Sequence, residues 1–273
     1  MGKQRRQQHK QPKAYYSQGV QVGDRHEQRQ NRGNQMIAND TMARNEDYDL
    51  SWFKPSQGQT KILQSMMEKE CTLVDAKSGC GKSTTVIWQA LKWLKDGQYR
   101  KIIFIKSPTQ MSMDDVGFLS SNEAKFDYPL MAMRDIFHSF MSKQKLESEE
   151  KKERIQFTFP NWLAGITFSN AIVIIDEMQL MQPEIVKLCL ERSDSSCKVV
   201  CMFDAKQRYA SHWRKDGAAD LLNRVSKVED GVRYITEPLF GYVKLSSSEN
   251  RRGALSKRIT ELYDDLDFDS KNK

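Results

Sequence analysis

The stretch from residue 76 to residue 83 constrains the fold of this chain more than any other feature. It reads Ala-Lys-Ser-Gly-Cys-Gly-Lys-Ser and joins a short apolar run, residues 72–75, to a segment with apolar residues at helical spacing, residues 82–95. This is the Walker A pattern G-x-x-x-x-G-K-[ST] with alanine in place of the first glycine, and its backbone N–H groups can curl around a phosphate. The pattern predicts a nucleoside triphosphate site between a strand and a helix. A small-residue turn with a chance Lys-Ser pair is the alternative.

The side chains of this loop have separate expected roles. Lys82 can reach the β- and γ-phosphates, the Ser83 hydroxyl can bind Mg²⁺, and the helix that follows directs its positive end at the same anion. The predicted nucleotide-binding set is Ala76, Lys77, Ser78, Gly79, Cys80, Gly81, Lys82, Ser83 and Thr84. Cys80 lies beside Lys82 at a helix N-terminus, which is expected to lower the pKa of its thiol, although it can equally be a small spacer.

Apolar runs alternate with amphipathic segments along the rest of the chain. The predicted strands are 72–75, 101–105, 155–159, 171–175, 198–203 and 243–245; the predicted helices lie within 51–69 and at 82–95, 183–192, 217–225 and 254–264, with loop and helix over 108–141. Continuously apolar strands that alternate with helices indicate a parallel sheet covered on both faces, hence an α/β fold. Right-handed crossovers then bring the loops after the strands to one edge of the sheet.

Two acidic residues follow the most apolar of these strands. Asp176 and Glu177 come directly after residues 172–175, which is the Walker B pattern. Asp176 would hold Mg²⁺ and Glu177 would orient the attacking water. Gln207 could sense the γ-phosphate and Arg252 could stabilise charge in the transition state, so both are catalytic candidates with Glu177 and Lys82. An ordinary surface glutamine and an arginine that solvates a helix start are the alternatives.

The charge of the chain is concentrated near its N-terminus. The formal net charge is +7, and residues 1–35 contain eight basic and two acidic residues among many glutamines. Such a segment buries too little apolar surface to offset its chain entropy, so residues 1–45 are predicted to be a disordered basic arm. Its charges, with Tyr15 and Tyr16, could bind RNA or single-stranded DNA. A solubilising tail is the alternative.

Other features narrow the class of protein. No apolar run is long enough for a membrane helix, the N-terminus is not a secretory signal, and the five cysteines are scattered, so a cytoplasmic location is expected. Cys197 and Cys201 could be half of a zinc site, but no second pair of Cys or His residues lies nearby at the required spacing, so a zinc site is not expected. Residues 142–154 are predicted to be an exposed charged insertion in a domain that spans 46–265, with a polar tail at 266–273.

Six blocks of residues, in order, resemble the PhoH-like family of P-loop ATPases, which is related to the first domain of superfamily 1 helicases. The blocks are Gln59; the loop 76–83; Pro108, Gly117, Phe118, Leu119, Lys125, Tyr128, Pro129 and Asp135; Gly165, Thr167, Asn170 and 176–179; Asp204, Gln207 and Gly217; and Arg252, Leu255, Ile259 and Tyr263. The resemblance covers about residues 55–263. It implies a RecA-like fold, ATP and Mg²⁺ as cofactors, ATP hydrolysis, a link to RNA or DNA handling, and adenine recognition by Gln59. Similar short members are common in bacteriophages, in which case the location would be the host cytoplasm.

The chain also departs from the family pattern. The differing positions are Ala76, Ser107, Ala164, Ile166 and Phe203, where glycine or arginine is usual. These departures keep open a nucleotide-gated binding scaffold with negligible hydrolysis, and a nucleic-acid-binding protein that acts through its basic arm. We expect no room for a second RecA-like lobe, so that unwinding by one chain is not expected. A homo-oligomeric ring could supply the lobe, with Arg252 acting at its own or a neighbouring site.

Overall fold

The structure is a computed structural model that describes residues 47–107, 124–205, 216–250 and 252–262. Its helices are α1 (Gln57–Glu68), α2 (Lys82–Lys95), α3 (Ala124–Phe137), α4 (Lys143–Lys151), α5 (Pro183–Leu190), α6 (Gly217–Arg224) and α7 (Ala254–Leu262). Its strands are β1 (Cys71–Ala76), β2 (Lys101–Lys106), β3 (Ile155–Thr158), β4 (Ala171–Asp176), β5 (Lys198–Phe203), β6 (Ser226–Glu229), β7 (Val232–Ile235) and β8 (Phe240–Leu245). Short 3₁₀ helices lie at Pro160–Trp162, Met178–Leu180 and Ser247–Glu249.

Six strands form one sheet in the order β3-β2-β4-β5-β1-β8, and every pairing in it is parallel. Successive strand residues point to opposite faces, so Val74 packs with the apolar residues of α1 to α4 and Leu73 packs with those of α5 and α6. The described part of the chain therefore confirms the predicted α/β fold, a parallel sheet with helices on both faces.

Helix α2 illustrates why the sequence adopts this arrangement. Its side chains Val86, Ile87, Ala90 and Leu91 recur at helical spacing and are fully buried against the sheet. Full burial of a side chain such as Leu91 is worth about 1.5–3 kcal/mol. The packing fixes the N-terminus of α2 directly above the end of β1, where the predicted phosphate loop lies.

Two features of the chain's second half differ from the predictions. A hairpin of β6 and β7 was not predicted, although Asp230 and Gly231 form its turn with φ of 51° and 75°, and Asp-Gly is a typical two-residue hairpin turn. Strand β8 begins at Phe240 rather than at Val243 and completes the sheet beside β1. Neither difference changes the predicted edge at which the loops converge.

Residues 142–154 are predicted to be an exposed charged insertion, either a helix or a loop. The segment forms helix α4, but it is not simply exposed, because Leu146 and Glu149 are buried. The Glu149 carboxylate accepts a hydrogen bond from the Tyr48 hydroxyl at 2.9 Å and forms ion pairs with Lys145 at 2.8 Å and Arg154 at 3.3 Å. These contacts dock the charged segment onto the domain.

Several predictions concern residues outside the described ranges. They include the basic arm 1–45, the tail 266–273, Gln207, Tyr263, and residues 108–119 of the family-specific block; the domain boundaries also stay predictions. Among the described residues, no helix is long and apolar enough to cross a membrane. The five cysteines are buried free thiols.

Candidate functional site

The loop between β1 and α2 has the backbone shape that its sequence predicts. Gly79 and Gly81 have φ of 87° and 73°, a left-handed conformation that glycine adopts without strain. Gly81 precedes α2 as its N-cap and provides no side-chain cap. The first N–H groups of α2 therefore have no capping side chain, which is the arrangement that suits an anion at a helix N-terminus.

Lys82 lies at the start of α2 and bends back over the loop. Its side chain is buried, and its Nζ donates a hydrogen bond to the carbonyl oxygen of Ala76 at 3.1 Å. Ser83 and Thr84 occupy the first turn of the same helix and are partly exposed. The loop thus places the Lys82 ammonium and the hydroxyls of Ser83 and Thr84 near the carboxyl end of β1.

Gln59 supports the loop from α1. It lies in the first turn of that helix and is 2% exposed. Its Nε2 donates to the carbonyl of Cys80 at 3.1 Å, and its Oε1 accepts from the backbone N–H of Ser56 at 2.9 Å. Each end of the amide makes one of these bonds and keeps a second donor or acceptor position, and recognition of adenine by Gln59 stays a prediction.

The segment after β8 lies across the same loop. Asn250 donates to the carbonyl of Ser78 at 3.4 Å, and Arg252 Nη1 donates to the Ser78 hydroxyl at 2.8 Å. A Cβ atom on Gly79 would approach Asn250 Oδ1 to 2.6 Å, so any other residue there would require the Asn250 side chain to move. Arg252 is the predicted arginine, whereas Asn250 was missed because nothing in the sequence links it to residue 78.

Cys80 does not have the pKa that its position suggested. Burial raises the pKa of the Cys80 thiol, and the positive charge of Lys82 offsets only part of that rise. Its Sγ lies 3.4 Å from the carbonyl of Ser246. The prediction of a lowered pKa was wrong because burial outweighs the helix terminus. The thiol fills space under the loop.

The two predicted acids lie at the same edge of the sheet as the loop. Asp176 ends β4 and is 2% exposed, while Glu177 follows it with φ of 55°. Strand β5 separates β4 from β1, and the register that pairs Asp75 with Phe203 and Ile175 with Cys201 brings the acids level with the start of the loop. Two strand spacings separate them, about 10 Å.

Hydrogen bonds connect the ends of the neighbouring strands. Gln179 is buried; its Nε2 donates to Glu177 Oε2 at 2.6 Å and its Oε1 accepts from the Asp204 N–H at 3.3 Å. Asp75 Oδ1 accepts from the Ala205 N–H at 3.2 Å, and its Oδ2 accepts from the Tyr242 hydroxyl at 3.0 Å. Burial and the Asp75 charge raise the pKa of Tyr242, which therefore stays a donor. This network holds the edge of the sheet in one arrangement.

One cation at this edge was not predicted. Lys106, the last residue of β2, places Nζ 3.1 Å from Asp176 Oδ2 and 3.9 Å from Glu177 Oε1. A lysine at the end of an apolar strand is an ordinary sequence feature, and its contact depends on the pairing of β2 with β4. Only knowledge of the strand order would have revealed it.

The donors around Asp176 fit a magnesium ion. Asp176 Oδ1 is buried and has no hydrogen-bond partner among the described residues, a costly state unless an ion or water binds there. The described ranges contain no group of three His, Cys, Asp or Glu side chains that could hold a metal. Magnesium ordinarily needs only one or two carboxylates, with phosphates and waters as its other ligands. Asp176 and Ser83 as metal ligands stay a prediction.

The sequence is similar to proteins of a known family. The family described as "PhoH-like protein" matches residues 54–264. The chain is 25% identical over 210 residues to the PhoH-like protein of Bacillus subtilis, covering 77% of this chain and 63% of that protein. It is 25% identical over 214 residues to Protein PhoH of Escherichia coli K12, covering 76% and 57%. The matches thus span less than two thirds of either relative.

A solved structure also resembles the chain. The large terminase of a thermophilic bacteriophage is 14% identical, with the match covering 77% of this chain and 51% of the terminase chain, and it superposes with a TM-score of 0.47.

Proposed function

The chain belongs to the PhoH-like protein family, and on that premise we propose that it is a Mg²⁺-dependent ATPase whose hydrolysis is coupled to RNA or DNA handling. The observation that carries the proposal is the arrangement of the loop 76–84. Gly79 and Gly81 have left-handed backbone conformations and lead into the N-terminus of α2, which has no capping side chain. The ammonium of Lys82 lies over the same loop. Backbone N–H groups and a lysine in this arrangement favour a polyphosphate ligand.

The charges around the loop support a triphosphate. Lys82 would exchange its bond to the Ala76 carbonyl for the β- and γ-phosphates, and the exposed guanidinium of Arg252 lies 2.8 Å from the Ser78 hydroxyl. Both cations would offset phosphate charge where it increases during transfer. Arg252 contacts the loop of its own chain, which favours action at its own site.

The acid pair would provide the other half of the chemistry. Asp176 and Ser83 would hold a Mg²⁺ ion, which when bound would supply positive charge to offset the negative charge that develops on the phosphates. Glu177 is more exposed than Asp176, with side-chain exposures of 27% and 3%, so Glu177 is accessible to a water molecule. Gln179 would fix the orientation of the Glu177 carboxylate through its 2.6 Å hydrogen bond. Glu177 would then orient and polarise the attacking water.

A phosphate-release assay tests the proposal. Wild-type protein with ATP and Mg²⁺ should release phosphate, and RNA or single-stranded DNA should increase the rate. Glu177→Gln keeps the size of the side chain but removes its charge, so it should bind ATP and lose turnover by about 100-fold or more. Glu184→Gln, in the first turn of α5, is the control and should retain the wild-type rate.

A nucleotide-gated scaffold is the second candidate. The departures from the family pattern favour it, namely Ala76 at the first loop position and Ala164 and Ile166 where arginine is usual, because they leave Lys82, Ser83 and Asp176 in place for binding. It predicts tight ATP binding without phosphate release, with or without nucleic acid. Stimulated turnover in the same assay would exclude it.

Binding of nucleic acid is the finer part of the proposal. The predicted basic arm, residues 1–35, would contact the phosphate backbone, so that affinity for a single-stranded oligonucleotide should fall steeply with salt. Removal of residues 1–35 should abolish that salt dependence. Unchanged binding by the shortened chain would assign the contact to another surface.

A further inference from the structure

Lys106 is the positive charge nearest to the acid pair in the described part of the chain. It ends β2 and pairs in register with Asp176, which ends the adjacent strand β4. Its Nζ lies 3.1 Å from Asp176 Oδ2 and 3.9 Å from Glu177 Oε1. The Lys106 side chain is 22% exposed and that of Asp176 is 3% exposed, so the pair is largely shielded from water.

The ammonium contacts the Asp176 carboxylate, which is the predicted metal ligand, and also approaches Glu177. Among the described residues, each of the two acids has its ion pair with Lys106. Asp176 Oδ1 is buried without a partner on the other side of the same carboxylate. One oxygen of Asp176 is therefore held by a protein cation and the other is left for a second ligand.

We propose that Lys106 is a built-in counter-ion that opposes the divalent cation at the acid pair, and that it thereby sets the Mg²⁺ concentration at which nucleotide binds. This inference rests on the proposed function, because it concerns the metal of the same nucleotide site. A fixed positive charge within a few ångströms disfavours a second cation on the same carboxylates, more strongly where water is excluded. Lys106 would stabilise the acids when the metal is absent and raise the metal requirement when nucleotide arrives.

A purely positioning role makes the opposite prediction. If Lys106 served only to orient Asp176 toward the metal, its removal would weaken metal binding. The direction of the change in metal affinity therefore separates the two roles. The structure favours opposition, because the Lys106 ammonium lies 3.1 Å from the Asp176 carboxylate in a largely shielded pair, where its charge would repel a second cation.

The test measures metal affinity directly, with Mn²⁺ as the probe. Binding of Mn²⁺ is followed by electron paramagnetic resonance in the presence of ADP, and binding of a fluorescent ADP analogue is followed against Mg²⁺ concentration. Lys106→Met and Lys106→Gln remove the charge and should lower the half-saturating metal concentration by about tenfold. Lys106→Arg keeps the charge and should resemble the wild type. Lys101→Met, at the other end of β2, is the matched control and should also be unchanged.

The outcomes separate this inference from the proposed function. If the wild type binds nucleotide with metal and the neutral variants need the same or more metal, this inference is wrong and the proposed function stands. If the wild type binds no nucleotide at saturating Mg²⁺, the proposed function fails and this inference fails with it. Thermal unfolding of each variant establishes that it is folded. If Lys106→Met and Lys106→Gln change the metal requirement equally, the change is due to the lost charge and not to the shape or polarity of one particular replacement.

Discussion

Arg252 donates a 2.8 Å hydrogen bond from Nη1 to the Ser78 hydroxyl of its own phosphate loop, across 174 residues of sequence. Asn250 fixes the backbone next to this arginine, because its Oδ1 accepts a hydrogen bond from the backbone N–H of Arg252 at 2.9 Å. The sequence left open whether this arginine acts at its own site or at a neighbour's. The contact favours its own site.

Loss of Arg252 should slow hydrolysis without unfolding the protein. Arg252→Ala removes a cation from the loop, so phosphate release should fall by about 100-fold or more. Arg258→Ala is the control, because Arg258 is a largely exposed residue of α7 that pairs with Glu261 at 3.6 Å. Equal rates for the two variants would contradict a role for Arg252 in turnover.

Mixing two inactive variants tests which site Arg252 serves. Lys82→Ala retains Arg252, and Arg252→Ala retains Lys82. If the arginine acts at its own site, a mixture should release phosphate no faster than the sum of the two separate proteins. Recovery of a substantial part of the wild-type rate would show that Arg252 acts across subunits.

Gly79→Ala should disturb the loop more than an equally strained glycine elsewhere. Gly79 and Gly97 both have positive φ, 87° and 70°, so alanine at either costs about 1–2 kcal/mol in backbone strain. Only at Gly79 would the added Cβ approach another side chain, reaching Asn250 Oδ1 at 2.6 Å, since the Cβ at Gly97 has nothing within 4 Å. Thermal unfolding should show the shared loss of stability in both variants. A titration should show weaker nucleotide binding in Gly79→Ala alone, and equal affinities would contradict the assigned contact.

Glu149 should contribute to stability although it lies in a strongly charged helix. Glu149→Ala would leave Tyr48 and Lys145 without their buried partner, and Lys145 is only partly exposed, so the free energy of unfolding should fall by about 2 kcal/mol. Glu147→Ala changes an exposed residue of the same helix and should alter it by less than about 0.5 kcal/mol. Urea unfolding of both variants measures the difference. Similar stabilities would contradict the docking of α4.

The free energy of unfolding should decrease in alkaline solution because the Cys189 thiol is buried. Burial raises the pKa of Cys189 from 9.0 to about 12. The folded protein keeps this proton where the unfolded chain loses it, so the stabilisation is complete below pH 9 and is lost as the pH rises toward 12. Within that window the free energy of unfolding should fall by about 1.4 kcal/mol per pH unit from this thiol. Urea unfolding over the window should give a smaller slope for Cys189→Ala, and an identical slope would contradict the prediction.

Much of the fold could be predicted because its signals are local. Helix α2 was predicted with the bounds Lys82–Lys95, since the loop pattern marks its start and the apolar spacing marks its buried face. Strand β4 was predicted within one residue, because five apolar residues end at two acids. The β6–β7 hairpin was missed although its Asp-Gly turn was readable, because its strands are short and mostly exposed.

The remaining features of the site depend on contacts between distant residues. Lys106 reaches Asp176 only because β2 and β4 are neighbours, and Asn250 reaches Ser78 only because β8 lies beside β1. The pKa of Cys80 depends on burial, which loop position alone did not reveal. Strand order and burial are properties of the whole fold, so a motif cannot specify them.

Calorimetric titration with ATP and Mg²⁺ tests the central claim, that the loop 76–84 binds a nucleoside triphosphate together with the acid pair. The wild type should bind with one site per chain, and Lys82→Ala should weaken binding by about 10- to 100-fold through loss of a charge-assisted contact. Lys92→Ala, an exposed lysine on the same helix, should bind like the wild type. No heat of binding from the wild type, or equal affinities of the wild type and Lys82→Ala, would contradict the account.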